Sequence, residues 1–261
     1  MDLFTVIGAI VGFFMVTFIG ITLCGGNIIE FFDPASIAIT IGGTLCAILI
    51  SFPAGTLKTI GKVFSKVAKN IKVNPKETIL TIVSFSEKAR REGLLALEDD
   101  LDQLDDEFMR KGIQLVVDGT DPELVRKILE NELGYMEARH ATGKQMFEDI
   151  GYLAPTFGML GTLIGLIVML KNITDKATVG QGMATALITT YYGAIIANLY
   201  AIPISNKLRE RNNDEVLLRE IMIEGILAIQ SGDNPRIVKD RLVSFLAPKD
   251  RREISQESGE K

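Results

Sequence analysis

Three threonines stand where oxygen chemistry inside a membrane is possible. Thr162 lies in an uncharged run, residues 150–170, and Thr189 and Thr190 lie in another, residues 177–206. A hydroxyl offers one donor and two lone pairs, so a cluster of them can hold water, a carboxyl group or a partly dehydrated Na⁺. Most intramembrane threonines instead bond to their own helix or to a neighbouring one. Helix packing is therefore the plain reading of any single threonine, and an ion route is the sharper reading of the set. The surrounding residues strengthen the set. Pro155, Gly158, Thr162, Gly165 and Met169 recur at three- and four-residue steps and share one helix face. Gly161 and Gly165 form a small-xxx-small pair that admits another helix closely. Pro155, and Pro203 in the second run, each free a carbonyl that lipid cannot satisfy but protein, water or an ion can.

The groups that are missing bear equally on function. The apolar runs 3–29, 34–57, 150–170 and 177–206 contain no Asp, Glu, Lys, Arg or His. Ion-coupled proteins place an ionisable group in the membrane, so this chain alone is not a complete proton relay. Either it carries no ion, or a partner helix brings a carboxylate into a threonine-lined niche. Elsewhere the sequence excludes much. The single histidine, His140, has no metal-ligand spacing around it, and no phosphate-binding loop or nucleophile set occurs. The expectation is a protein that is not an enzyme and has no cofactor. A net charge of -5 carries no nucleic-acid signal. Cys24 and Cys46 sit in apolar runs and read as packed thiols rather than a disulfide.

The elements that position the threonines follow from charge segregation. The chain is 47% hydrophobic yet 23% charged, with mean hydropathy +0.25 over 261 residues. Its four uncharged runs are each long enough to cross a bilayer as a helix. Gly8 and Gly12 give the first run a small-xxx-small pair. Lys58, Lys62, Lys66, Lys69 and Lys72 follow the second run, and Lys207, Arg209 and Arg211 follow the fourth. The positive-inside rule places these flanks and both termini in the cytoplasm.

The predicted fold is all-α, with a cytoplasmic helical domain between spans 2 and 3 completed by the C-terminal segment. Its parts are residues 1–57 (spans 1 and 2), 58–149 (cytoplasmic helices), 150–206 (spans 3 and 4), 207–247 (a cytoplasmic helical segment) and 248–261 (a disordered tail). Within it, Asn74-Pro75 starts one helix, a second runs from about Leu94 to Val117, and Asp121-Pro122 starts a third. The third runs into the central span without a loop. A short outer link covers residues 171–180.

Three stretches resemble the MotA (PomA) family of flagellar stator subunits, within the MotA/TolQ/ExbB proton channel superfamily. They are the fourth span from Ala186-Leu187-Ile188-Thr189-Thr190-Tyr191-Tyr192-Gly193 to Pro203, the third span from Ala154-Pro155-Thr156-Phe157-Gly158 to Leu166, and residues 225–236. The resemblance covers essentially the whole chain. It implies five such subunits in the bacterial inner membrane around two copies of a MotB-like, single-span, peptidoglycan-binding partner that supplies an intramembrane aspartate. It further implies a FliG-like rotor protein as the cytoplasmic partner, and a transported H⁺ or Na⁺ rather than a cofactor. By the same resemblance Pro155 and Pro203 couple conformation, and Thr162 with Thr189 or Thr190 lines the ion path. Arg90, Arg91 and Glu98 face the rotor, and Gly158, Gly161, Gly165 and Gly193 pack helices. A TolQ/ExbB-like energising subunit is one alternative, and a helical membrane scaffold without an ion role is another. The choice between H⁺ and Na⁺, and between Thr189 and Thr190, stays open in the sequence.

Overall fold

The computed structural model describes residues 3–57 and 74–257. The lysine flank at positions 58, 62, 66, 69 and 72 lies outside the described residues. The chain divides into two compact units, one of Met1–Ile71 with His140–Glu210 and one of Lys72–Arg139 with Arg211–Lys261. The described residues form helices and turns, with no strand among them. Four helices are long and apolar enough to cross a membrane: Thr5–Leu23, Pro34–Ser51, Pro122–Lys171 and Lys176–Gln230. The chain is a membrane protein, and these four helices contain spans 1 to 4 in order.

The first unit holds the spans. Span 1 turns π-helical over Phe14–Ile19, span 2 over Ala38–Gly42 and span 4 over Ile196–Ala201. Span 3 carries Pro155 inside an unbroken helix. Asn172–Asp175 is the link to span 4, shorter than the ten residues expected. Asp175 caps the new helix by accepting from the Ala177 amide at 3.1 Å. Asp33 caps span 2 in the same way through the Ser36 amide at 3.0 Å. Burial opposes ionisation of Asp33, but the Ser36 hydroxyl and nearby amides outweigh it and hold the carboxyl below its ordinary pKa. Outward faces stay apolar and exposed, as at Ile10, Leu23, Ile50 and Leu187, which suits contact with lipid chains. Cys24 and Cys46 are free and lie on exposed positions instead of packing inward.

The second unit is a water-type domain with one apolar core. Pro75–Glu92 puts Ile79, Ile82 and Phe85 inward, and Val125, Leu129, Ile221, Ile226, Val238 and Leu242 meet them. Asn74 caps this helix with Pro at its first turn, as the sequence predicts. The expected single helix from Leu94 to Val117 is instead two elements. Leu94–Gln103 is a 3₁₀ segment and Glu107–Val117 an α-helix, with Asp106 between them accepting from the Phe108 and Met109 amides. An acidic cap so placed starts a new helix rather than continuing an old one. Arg219 anchors the same cap at 2.6 Å and lies over the Phe108 ring, 4.7 Å from its centre.

The expected disordered tail also needs correcting. Pro248–Glu257 is helical, and Ile254, 1% exposed, belongs to the core. Lys76 pairs with Asp250 at 3.3 Å, and Arg251 donates to the Leu246 carbonyl at 2.7 Å. One apolar residue in a strongly polar stretch was too little signal for a period. Ile254→Ala should cost about 2–5 kcal/mol, the range for emptying a core isoleucine site. Thermal unfolding in detergent should show this as a lowered midpoint, whereas a loose tail would leave the midpoint unchanged.

Candidate ion-path site

Spans 3 and 4 meet along two lines of small residues. Gly151, Ala154, Gly158, Gly161 and Gly165 are buried on span 3, and Gly182, Ala186, Thr189, Gly193, Ala197 and Ala201 on span 4. The backbones approach so closely that a Cβ would collide with main chain. On Gly158 it would lie 2.9 Å from the Thr189 carbonyl oxygen, on Gly165 2.5 Å from that of Gly182, and on Gly193 2.6 Å from that of Ala154. On Gly161 it would strike the Thr189 side chain. Thus Gly158, Gly161, Gly165 and Gly193 all lie at the contact between spans 3 and 4. Gly8 does not, since an added Cβ there meets nothing within 4 Å, while its neighbour Gly12 receives Leu199.

The threonines separate into two positions around this contact. Thr189 is fully buried, and its hydroxyl donates to the carbonyls of Thr185 and Ala186, both at 3.0 Å. Thr190 is exposed and donates to Ala186 at 3.3 Å. Thr162 is half-buried beside Gly161 and donates to Met159 at 2.6 Å. Each hydroxyl therefore uses its proton on its own helix and keeps lone pairs free to accept. Pro155 is half-buried one residue from Ala154, with its Cα 3.0 Å from the Cβ position of Gly193. Pro203 is exposed and lies two residues after the end of the π-helical turn Ile196–Ala201. A proline after a widened turn is a known way to absorb a lost backbone hydrogen bond.

Span 2 contributes residues that sequence reasoning overlooked. Ser36, Thr40 and Thr44 are buried, and they recur every four residues. Thr40 donates to the Thr189 carbonyl at 3.3 Å, Ser36 reaches the Thr185 carbonyl at 3.4 Å, and Thr44 donates to Thr40 at 2.6 Å. Gly43 faces the Phe157 ring of span 3. The four-residue hydroxyl step was the available signal. Midway along span 4, Tyr192 donates to the Phe31 carbonyl, and just past its end Lys207 donates to Thr5. Among the described residues no group of three or more metal-type side chains gathers.

The charged candidates belong to the second unit. Arg90 and Arg91 are exposed in the last turn of Pro75–Glu92, and Glu98 is exposed in the 3₁₀ segment. Gly93, at φ 91°, reverses the chain between them. Lys88 and Asp100 pair at 2.7 Å across that reversal, and the Asp100 hydrogen bond holds the Lys88 ammonium above its ordinary pKa. This brace was not read from the sequence.

Comparison with known proteins decides what this arrangement belongs to. Residues 6–93 match the motility protein A N-terminal family, and residues 100–221 match the MotA/TolQ/ExbB proton channel family. The motility protein A of Treponema phagedenis is 44% identical over 98% of both chains. The chemotaxis protein PomA of Vibrio alginolyticus is 40% identical over 94% of this chain and 96% of its own. The chain belongs to the motility protein A family of flagellar stator subunits. Its fold superposes on a chain of the Bacillus subtilis flagellar MotAB stator complex with a TM-score of 0.86, at 35% identity, covering 95% and 97% of the two chains. The full-length likeness, with four spans, sets aside the TolQ/ExbB-like and scaffold alternatives.

Gly165→Ala and Gly193→Ala should each overpack the span 3–span 4 contact and cost about 1–3 kcal/mol. Gly8→Ala should be neutral. Thermal aggregation of the purified membrane protein is the measurement, and equal melting of all three variants would contradict the contact.

Proposed function

We propose that this stator subunit conducts H⁺ or Na⁺ together with a single-span, peptidoglycan-binding MotB-like partner, and converts the ion flow into torque on a flagellar rotor. The observation that supports the reading best is a pairing of presence and absence. Four spans without one Asp, Glu, Lys, Arg or His surround three hydroxyls at a glycine-lined contact. A carboxylate from the partner helix then completes the route, with Thr162 and Thr190 accessible to it and Thr189 behind them. Five copies of the chain around two partner helices, by likeness to the MotAB complexes, would give the carboxylate a ring to act on. Each ion crossing ~100 mV supplies about 2.3 kcal/mol, enough to move a pair of helices between two packings. Pro155 and Pro203 are the places where such a change meets no intact backbone hydrogen bond. The residence is the bacterial inner membrane, with both termini in the cytoplasm.

Liposome conduction and swimming test the ion path. The subunit alone should conduct neither ion, and the pair should conduct. Valine at Thr162, Thr189 or Thr190 keeps size and removes the hydroxyl. If Na⁺ is the ion, these variants should need several-fold more external sodium for half-maximal speed. Conduction by the isolated subunit would refute the partner carboxylate.

Arg90, Arg91 and Glu98 form the proposed rotor face. Exposed ion pairs contribute roughly 0–1 kcal/mol, so single neutralisations should be mild. Arg90→Glu with Glu98→Lys should reduce swimming strongly while membrane levels stay normal. Normal swimming by the double reversal would remove the assignment.

A further inference from the structure

Span 2 carries a row of hydroxyls that the ion path as described does not use. Ser36 and Thr40 are both 0% exposed, rare for polar side chains in an apolar unit. Both point at main-chain oxygens of span 4, and those oxygens belong to Thr185 and Thr189, one turn apart. The register is therefore shared: Ser36 and Thr40, four residues apart on span 2, face two carbonyls four residues apart on span 4. The Ser36 proton is held by the Asp33 carboxylate, and Thr40 is the donor across the contact. In an α-helix the Thr189 carbonyl already accepts one amide, so the Thr40 hydroxyl takes its remaining lone pair.

The acceptors are also the groups that hold the Thr189 side chain. Its hydroxyl donates to Thr185 at 3.0 Å, the oxygen that Ser36 reaches. Its carbonyl lies between the Thr40 hydroxyl on one side and Gly158 of span 3 on the other, where even a methyl group would sit 2.9 Å away. Thr40 itself sits in the π-helical turn Ala38–Gly42, and Thr44 donates back to the Thr40 carbonyl at 2.6 Å. This fixes the turn that carries the donor.

We propose that Thr40 is a positioning residue for the ion path: its hydroxyl clamps the Thr185–Thr189 turn of span 4 against span 3 and thereby sets how strongly the threonine set holds the ion. The proposal rests on the ion-path reading of Thr162, Thr189 and Thr190. Span 2 thus acts on the ion through span 4 without touching it.

The test uses the whole stator with its partner, and reads swimming speed against external sodium at fixed pH and against external pH at fixed sodium. Thr40→Val should raise the ion concentration for half-maximal speed roughly fivefold, the factor carried by one net hydrogen bond, with maximal speed preserved. Thr40→Ser should restore the wild-type response. In a Thr189→Val background, Thr40→Val should add little, because both act on one turn. Full additivity, or failure of serine to restore, overturns the positioning role. If the Thr162, Thr189 and Thr190 valine variants all prove indifferent, the ion-path reading fails and the clamp falls with it; if they shift the response while Thr40→Val does not, the clamp alone is overturned. If Thr40→Val does not reach the membrane, Thr40→Ala takes its place. Equal ion responses of alanine and serine, or loss of assembly by alanine as well, reduce Thr40 to a packing residue and overturn the proposal.

Discussion

The close approach of spans 3 and 4 is the constraint on which the membrane unit depends. In lipid there is no hydrophobic gain from bringing two apolar helices together, so contact must come from packing and hydrogen bonds. Packing is effective only where backbones meet, and here glycine and alanine alone make that possible. Once the backbones touch, the threonine side chains cannot all be equivalent. Thr189 is trapped behind the contact, while Thr162 and Thr190 are left at its margins. The geometry that excludes larger side chains is thus also what sorts buried from accessible oxygens.

The second unit obeys a different solvent. Its core is one contiguous apolar cluster, with Gly225 admitting Ile82 and Gly112 admitting Ile226. Its polar groups act at ends and turns: Asp106 on a helix start, Gln230 on the Thr120 carbonyl at 2.6 Å, Lys88 with Asp100 across Gly93. The exposed charges at Arg90 and Glu98 lie on either side of the braced turn rather than on a free loop.

Much of this was legible in the sequence, for identifiable reasons. Uncharged runs bounded by charge report spans whatever the tertiary contacts, because the hydrocarbon core sets their length. The sequence predicts that the third helix runs into the central span without a loop, and it is unbroken from Pro122 to Lys171. The Gly161 and Gly165 pair is read from spacing, and Gly193 comes only with the family resemblance. Where reading failed, the deciding force was tertiary. Leu94–Gln103 has the leucines of a helix but follows a 3₁₀ path, with Leu97 and Leu101 entering the core ahead of the new cap at Asp106. Ile254 had no apolar neighbours to make a period, yet the core reaches it. Ser36 and Thr40 were overlooked although their four-residue step was there to read, because the span 4 oxygens they face belong to the backbone and leave no trace in side-chain type.

The π-helical turn Ile196–Ala201 explains how span 4 keeps one edge small over so many turns. Buried Gly193, Ala197 and Ala201 step by four, and successive steps of four overrun an α-helix, whose turn takes about 3.6 residues. A wider turn absorbs the overrun, so the small edge does not drift out of contact. The turn thus works as a phase adjuster: tightening it to regular helix with all its residues kept would swing everything beyond, beginning with Pro203, by about 80° about the helix axis, the overrun of eight residues past two full turns. A span built this way tolerates changes of side chain along its outer face but very few changes in the number of residues between its glycines and its proline.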